Sequence, residues 1–185
     1  MNSKIIVLIV LLNFLIFGKA MASEVSINSV YDLTFTSIEG TPLPLSEFSG
    51  KALLVVNTAS FCGFTKQYAD LQTLWKRYED KGLVVLGVPS NDFGQQEPGT
   101  DSEIKDFCEI NFDIDFPMTT KEHVKGPSAH PFYKWAASKK GAVAKPRWNF
   151  HKYLISTDGE LIDWFSSPTS PLSNRLTRSV EAVLP

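Results

Sequence analysis

Ala52-Leu53-Leu54-Val55-Val56 and Leu83-Val84-Val85-Leu86-Gly87-Val88 are two apolar runs, and between them fall Tyr68, Leu71, Leu74, Trp75 and Tyr78. Each flanking run is almost unbroken in its apolar character, as a strand covered on both faces requires. The middle set has helical spacing and stops at Gly82, a residue that ends helices. Residues 52–88 therefore predict one βαβ unit, with parallel strands and a right-handed crossover.

Working outward, Val30 to Leu43 predicts a hairpin: Tyr31, Leu33 and Phe35 alternate and Glu39-Gly40 makes the turn. Thr100 and Glu103 have the spacing of a capping box, which starts a second helix carrying Ile104, Phe107, Cys108 and Ile110. A third helix is expected from about Ser128, with Pro131 in its first turn and Phe132, Trp135 and Ala136 on one face. Tyr153 to Ile155 and Leu161 to Phe165 form a pair of strands turned at Asp158-Gly159. Ser170-Pro171 opens a last helix with Leu172, Leu176, Val180 and Val183 in line. A βαβ unit followed by a hairpin and a final helix predicts a thioredoxin-like α/β fold: a mixed central sheet flanked by helices, preceded by an N-terminal β-hairpin.

The first residues stand outside this fold. Lys4 precedes Ile5 to Phe17, which is apolar except for Asn13, and small residues follow at Ala20 and Ala22. This is the pattern of a secretory signal peptide cut after Ala22, and the apolar core falls short of the roughly 20 residues that span a bilayer. Residues 23–185 are then one exported domain, in the periplasm or secreted, where disulfides persist. No stable membrane insertion is expected once residues 1–22 are removed.

The chain has 185 residues, of which 43% are hydrophobic and 21% charged, with a net charge of −2 and 2 Cys. That excludes a disordered chain and argues against nucleic-acid binding. Two cysteines cannot build a four-thiolate zinc site, and His123, His130 and His151 lack ligand spacing, so no metal or cofactor is expected. His130 is expected to cap or pack at a helix start. Cys62 lies between a buried strand and a helix start, where the helix N-terminus favours a thiolate. Taken alone, it is equally readable as a buried inert thiol. No C-x-x-C dithiol exists, because Thr65 holds the second position; any partner of Cys62 must be Cys108.

Three segments resemble the glutathione peroxidase family: Asn57-Thr58-Ala59-Ser60-Phe61-Cys62-Gly63-Phe64-Thr65, then Pro89-Ser90-Asn91-Asp92-Phe93-Gly94-Gln95-Gln96-Glu97-Pro98-Gly99, then Trp148-Asn149-Phe150. The likeness runs from about Ser29 to Leu184. It implies a thiol peroxidase that reduces hydrogen peroxide and organic or lipid hydroperoxides. Cys62 would be the nucleophile, with Gln96, Trp148 and Asn149 around its sulfur as neutral donors. The segment around Cys108 is similar to the helix that carries the resolving cysteine in thioredoxin-dependent members, so a Cys62–Cys108 disulfide, reduced by a thioredoxin-like dithiol protein or by glutathione, is implied. The alternative for Cys108 is a core thiol on a helix face. Ser90 stands where many members have a third Cys, and Asp92 where they have Gln, which puts a carboxylate near the site. The short stretch from Trp135 to Trp148 implies a monomer. Two other functions fit the same cysteines: an extracytoplasmic thiol–disulfide oxidoreductase, and a non-catalytic thioredoxin-like module with a structural disulfide.

Overall fold

The computed structural model describes residues 29–185; the expected signal peptide lies outside them. Strand β3 (Ala52–Thr58) is buried at all seven positions, as is β4 (Leu83–Pro89). The two pair in parallel, Ala52 opposite Leu83, and α1 (Gln67–Tyr78) connects them. A short 3-10 turn, Glu79–Lys81, continues α1 to Gly82, whose φ of 87° is the left-handed conformation that glycine adopts freely. On its other edge β3 pairs antiparallel with β5 (Lys152–Ile155), and β5 with β6 (Leu161–Phe165). The strand order is β4-β3-β5-β6, the expected mixed sheet.

Side-chain alternation along β3 divides the core in two. Leu53 and Val55 pack with Val84, Leu86 and Tyr153, beneath Phe132 and Trp135 of α3 (Pro131–Lys140). Ala52, Leu54 and Val56 face the other way, against Leu71 and Leu74 of α1, Ile104 and Cys108 of α2 (Asp101–Phe112), and Leu176 and Val180 of α4 (Asn174–Glu181). Helices therefore cover both faces of the sheet, and β3 lies in the interior of the fold with its carboxyl end aimed at the loops that matter below.

The caps follow the sequence closely. The Thr100–Glu103 capping box is present in full at α2. His130 caps α3 by accepting the Phe132 N–H at 3.2 Å, and its ring stacks on Phe35 at 3.9 Å. Two boundaries and one helix face differ from expectation. The N-terminal hairpin is short, β1 (Thr34–Thr36) with β2 (Pro42–Pro44), because Ser29 caps a 3-10 turn over Val30–Asp32. Helix α4 starts four residues after Ser170, because Ser170 and Pro171 make a turn and Ser173 supplies the cap. Ile110, expected on the apolar face of α2, is 82% exposed; the buried face runs through Ile104 and Cys108, one helical turn apart.

Candidate active site

The site forms where β3 ends. Cys62 sits in a turn ahead of α1, five residues before the first helical residue rather than inside its first turn. Its N–H donates to the Thr65 hydroxyl at 2.9 Å, and that hydroxyl donates to the Ala59 carbonyl at 2.9 Å. Thr65, at the position of the missing second thiol, therefore closes the turn that presents Cys62. The Cys62 sulfur accepts the Phe64 N–H at 3.4 Å, which fixes where the sulfur points. The side chain is buried, while its neighbour Phe61 is 67% exposed.

The loop after β4 folds back onto this turn. The Phe61 N–H donates to the Gln96 carbonyl at 3.0 Å, and the Ser60 N–H to Glu97 Oε2 at 2.9 Å. Asn91 braces the loop by accepting the Glu97 N–H at 2.9 Å. From the third segment, Asn149 is fully buried and its Nδ2 donates to Gln96 Oε1 at 3.0 Å and to the Phe93 carbonyl at 3.4 Å. Asn57, at the end of β3, holds this segment in place: its Nδ2 donates to the Trp148 carbonyl and its own carbonyl accepts the Phe150 N–H. Trp148 is 40% exposed, so it is not a core aromatic. Gln96 and Asn149 thus meet directly, and the Gln96 backbone is tied to the Cys62 turn. Cys108 lies apart, fully buried on α2; both cysteines are free thiols.

Backbone strain collects here. Among the described residues, three that are not glycine have positive φ: Gln95 (53°), Asp113 (51°) and Phe150 (63°). Two of the three adjoin Gln96 and Asn149. Such conformations cost about 1–3 kcal/mol each and persist where the surroundings hold them.

Electrostatics separate the carboxylates. Asp92 does not point its charge at Cys62: its oxygens accept His123 Nδ1 at 2.8 Å and the Val124 and Lys125 N–H groups. Burial would raise its pKa, but His123 and those two N–H groups outweigh burial and hold it low. Glu97 behaves oppositely. It is fully buried, and burial pushes its carboxyl up to about 7 against the pull of Ser60 and Lys121. Its Oε1 has no hydrogen-bond partner. A cleft of about 390 Å³ lies between this loop and α2, lined by Phe61, Glu97, Pro98, Ile104 and Phe107 among others. Burial pushes the Cys108 thiol up to about 12, opposed by Tyr68 and reinforced by Glu97.

Two buried bases sit behind the site. His151 stacks on Trp164 at 5.3 Å, and burial, then the Lys152 charge, push it down to about 4. An unfolded chain protonates this residue as the pH drops below about 6.5. The folded chain refuses the proton until about 4. Its stabilising contribution, about 3 kcal/mol, is therefore whole above pH 6.5 and lost as the pH falls through 4. His151→Phe is expected to flatten the loss of stability between pH 7 and pH 4, as measured by urea unfolding; an unchanged slope would show that His151 does not set it. Lys152 is fully buried as well, and its Nζ donates to Gln67 Oε1 at 2.6 Å and to the carbonyls of Phe150 and Thr169, both at 2.8 Å. Burial pushes it down to about 7, against the pull of Asp70.

Sequence reasoning brought Cys62, Gln96, Trp148, Asn149 and Cys108 forward and missed Thr65, Asn57 and Glu97 as structural partners. A Glu between Gln96 and Pro98 reads as a solvated loop residue, and only its place inside a family segment marked it.

Comparison with known proteins identifies the family. The family model described as glutathione peroxidase matches residues 30–137. A hydroperoxy fatty acid reductase of Synechocystis is 41% identical over 165 residues, covering 85% of this chain and 96% of that protein. A glutathione peroxidase-like peroxiredoxin of Schizosaccharomyces pombe is 43% identical over 156 residues, covering 83% of this chain and 98% of that protein. Among solved structures, Trgpx in its apo form superposes with a TM-score of 0.67 at 33% identity, covering 86% of this chain and 100% of that one. A thiol:disulfide interchange protein of Chlorobium tepidum, at 17% identity and a TM-score of 0.60, covers 82% of this chain and 92% of that one and shares the thioredoxin-like fold. The chain belongs to the glutathione peroxidase family, and its activity is that of a peroxidase.

Proposed function

We propose that the protein is a two-cysteine thiol peroxidase acting on hydrogen peroxide and on organic and lipid hydroperoxides. The observation that supports this reading is the tight Cys62 turn, whose Phe61 N–H is bonded to the Gln96 carbonyl, with the Gln96 amide in turn bonded to Asn149. The Cys62 thiolate attacks the O–O bond, hydroxide or an alkoxide departs, and the sulfur becomes a sulfenic acid. Gln96 and the Trp148 indole act as uncharged donors to the developing negative charge, and Asn149 fixes the Gln96 amide by donating to its Oε1. Cys108 then displaces the sulfenic hydroxyl as water, and a thioredoxin-like dithiol protein, or glutathione, reduces the disulfide. The exposed Phe61 and the adjacent apolar cleft suit a hydroperoxide with an acyl chain. The reading extends to an exported monomer that acts in the periplasm or outside the cell and draws electrons from an extracytoplasmic relay. Thr65 weighs against a thiol–disulfide oxidoreductase, since its hydroxyl is committed to the Cys62 turn.

The test is to titrate the reduced protein with hydrogen peroxide while following thiols and tryptophan fluorescence. Cys108→Ser is expected to accumulate one sulfenic acid per chain at Cys62, detected by trapping and intact mass. No reaction in the wild type would sink the peroxidase reading. Cys108 is fully buried, so disulfide formation requires α2 to move until the Cα atoms are about 4.4–6.8 Å apart. Faster hydrogen exchange over residues 100–112 in the oxidised protein is the matching signature.

A further inference from the structure

The lysine buried in β5 is used by neither the peroxide-reducing step nor the disulfide step. All four residues of β5 are buried, and Lys152 is the first of them. An apolar side chain is the ordinary occupant of such a place, since a buried charge persists only where polar groups meet it. Four oxygens meet this one. The Lys152 Nζ donates to Gln67 Oε1 at 2.6 Å, to the Phe150 and Thr169 carbonyls at 2.8 Å and to the Ser167 carbonyl at 3.4 Å. Two of these acceptors belong to the framework of the site. Gln67 opens α1, and its N–H donates to the Phe64 carbonyl at 2.8 Å, while the Phe64 N–H donates to the Cys62 sulfur. Phe150 directly follows Asn149 and holds a φ of 63°, a conformation that a bulky residue keeps only under constraint. Its N–H donates to the Asn57 carbonyl at 2.6 Å, and its own carbonyl accepts Lys152. The strained residue is thus gripped on both sides, by the end of β3 and by Lys152.

We propose that Lys152 is a positioning residue for the peroxide-reducing step: it ties the bend at Phe150 to the start of α1, and so fixes the Trp148–Asn149 segment relative to the Cys62 turn. This rests on the peroxidase reading, in which Asn149 holds the Gln96 amide. On one side the tie runs from Nζ through Gln67 and Phe64 to the Cys62 sulfur. On the other it runs from Nζ through Phe150 to Asn149 and so to Gln96. Without the Nζ the Phe150 carbonyl loses its donor, and the strained bend can relax toward an ordinary φ, carrying Asn149 away from Gln96 Oε1. A lysine suits this place because an ammonium offers three donors from one atom, one each for Gln67, Phe150 and Thr169. A hydroxyl or an amide offers at most two.

The experiment is a single turnover of the reduced full chain with one equivalent of hydrogen peroxide, reading the loss of peroxide in wild type, Lys152→Met, Asn149→Ala and the double variant. Methionine keeps most of the length of the side chain and removes its donors. Lys152→Met is expected to slow the step about tenfold, the scale of loss when groups at the reacting centre are slightly misplaced. Because the tie acts through Asn149, the double variant should be no more than about threefold slower than Asn149→Ala alone. A merely structural role would multiply the two losses. A loss below about threefold in Lys152→Met overturns the proposal, and so does a double variant more than about threefold slower than Asn149→Ala. If Lys152→Met does not fold, Gln67→Leu decides, since it leaves Lys152 its three carbonyls and cuts the tie to α1. A loss of about threefold or more then supports the proposal, and a smaller one overturns it. A wild type that does not consume peroxide fails the peroxidase reading itself, so the two failures are distinguishable.

Discussion

Cys62→Ser is expected to lower kcat/KM for hydrogen peroxide at least about a thousandfold, to the background of the uncatalysed reaction. A serine hydroxyl is not ionised near pH 7 and cannot pass through a sulfenic acid. The fold should persist. The serine N–H can still donate to Thr65, and the side chain exchanged is small. Stopped-flow tryptophan fluorescence reads the loss, because Trp148 is partly exposed and lines one cleft with Phe64 of the Cys62 turn. Retention of a tenth of the wild-type rate would move the reaction to another group.

Asn149→Ala is expected to slow sulfenic acid formation about a hundredfold, the usual loss when a preorganised donor is removed. Two effects combine. The Asn149 Nδ2 is lost, and Gln96 loses the partner that fixes its amide. With Gln96 Oε1 held by Asn149, the Gln96 NH2 group is turned away from that bond and free to donate elsewhere. The Phe93 carbonyl would also be left without Asn149, a stability cost of about 1–3 kcal/mol visible in urea unfolding. A change below threefold in the single-turnover rate would leave the amide pair a purely structural role.

The parts of this protein that the sequence made legible are those where one local rule acts alone. The unbroken apolar, partly β-branched run Ala52 to Val56 predicts a strand covered on both faces, and β3 is buried at every position. The Thr100–Glu103 box and Pro131 after His130 are local chemistry, and they appear where expected. Where two rules compete, reading by pattern fails. Ser170 and Ser173 both offer a cap, and Pro171 favours the turn at the first and the helix after the second. Ile110 fits the spacing loosely but lies across the helix from Cys108. At the site, Cys62, Gln96 and Asn149 were legible because three segments match one family in order. Glu97 and Lys152 were not, since burial of a charge depends on residues far away in sequence. Lys152 meets Gln67 across 85 residues.

That buried lysine also gives the fold a chemical clock. Its amine is held near 7, so a large share of the molecules carry it uncharged at neutral pH, in the form that acylating reagents attack. No reagent reaches it while β5, the start of α1 and the 167–169 loop remain closed around its nitrogen. Labelling at Lys152 would therefore report the openings of this junction, against a background of surface lysines that need no opening but stay protonated at neutral pH.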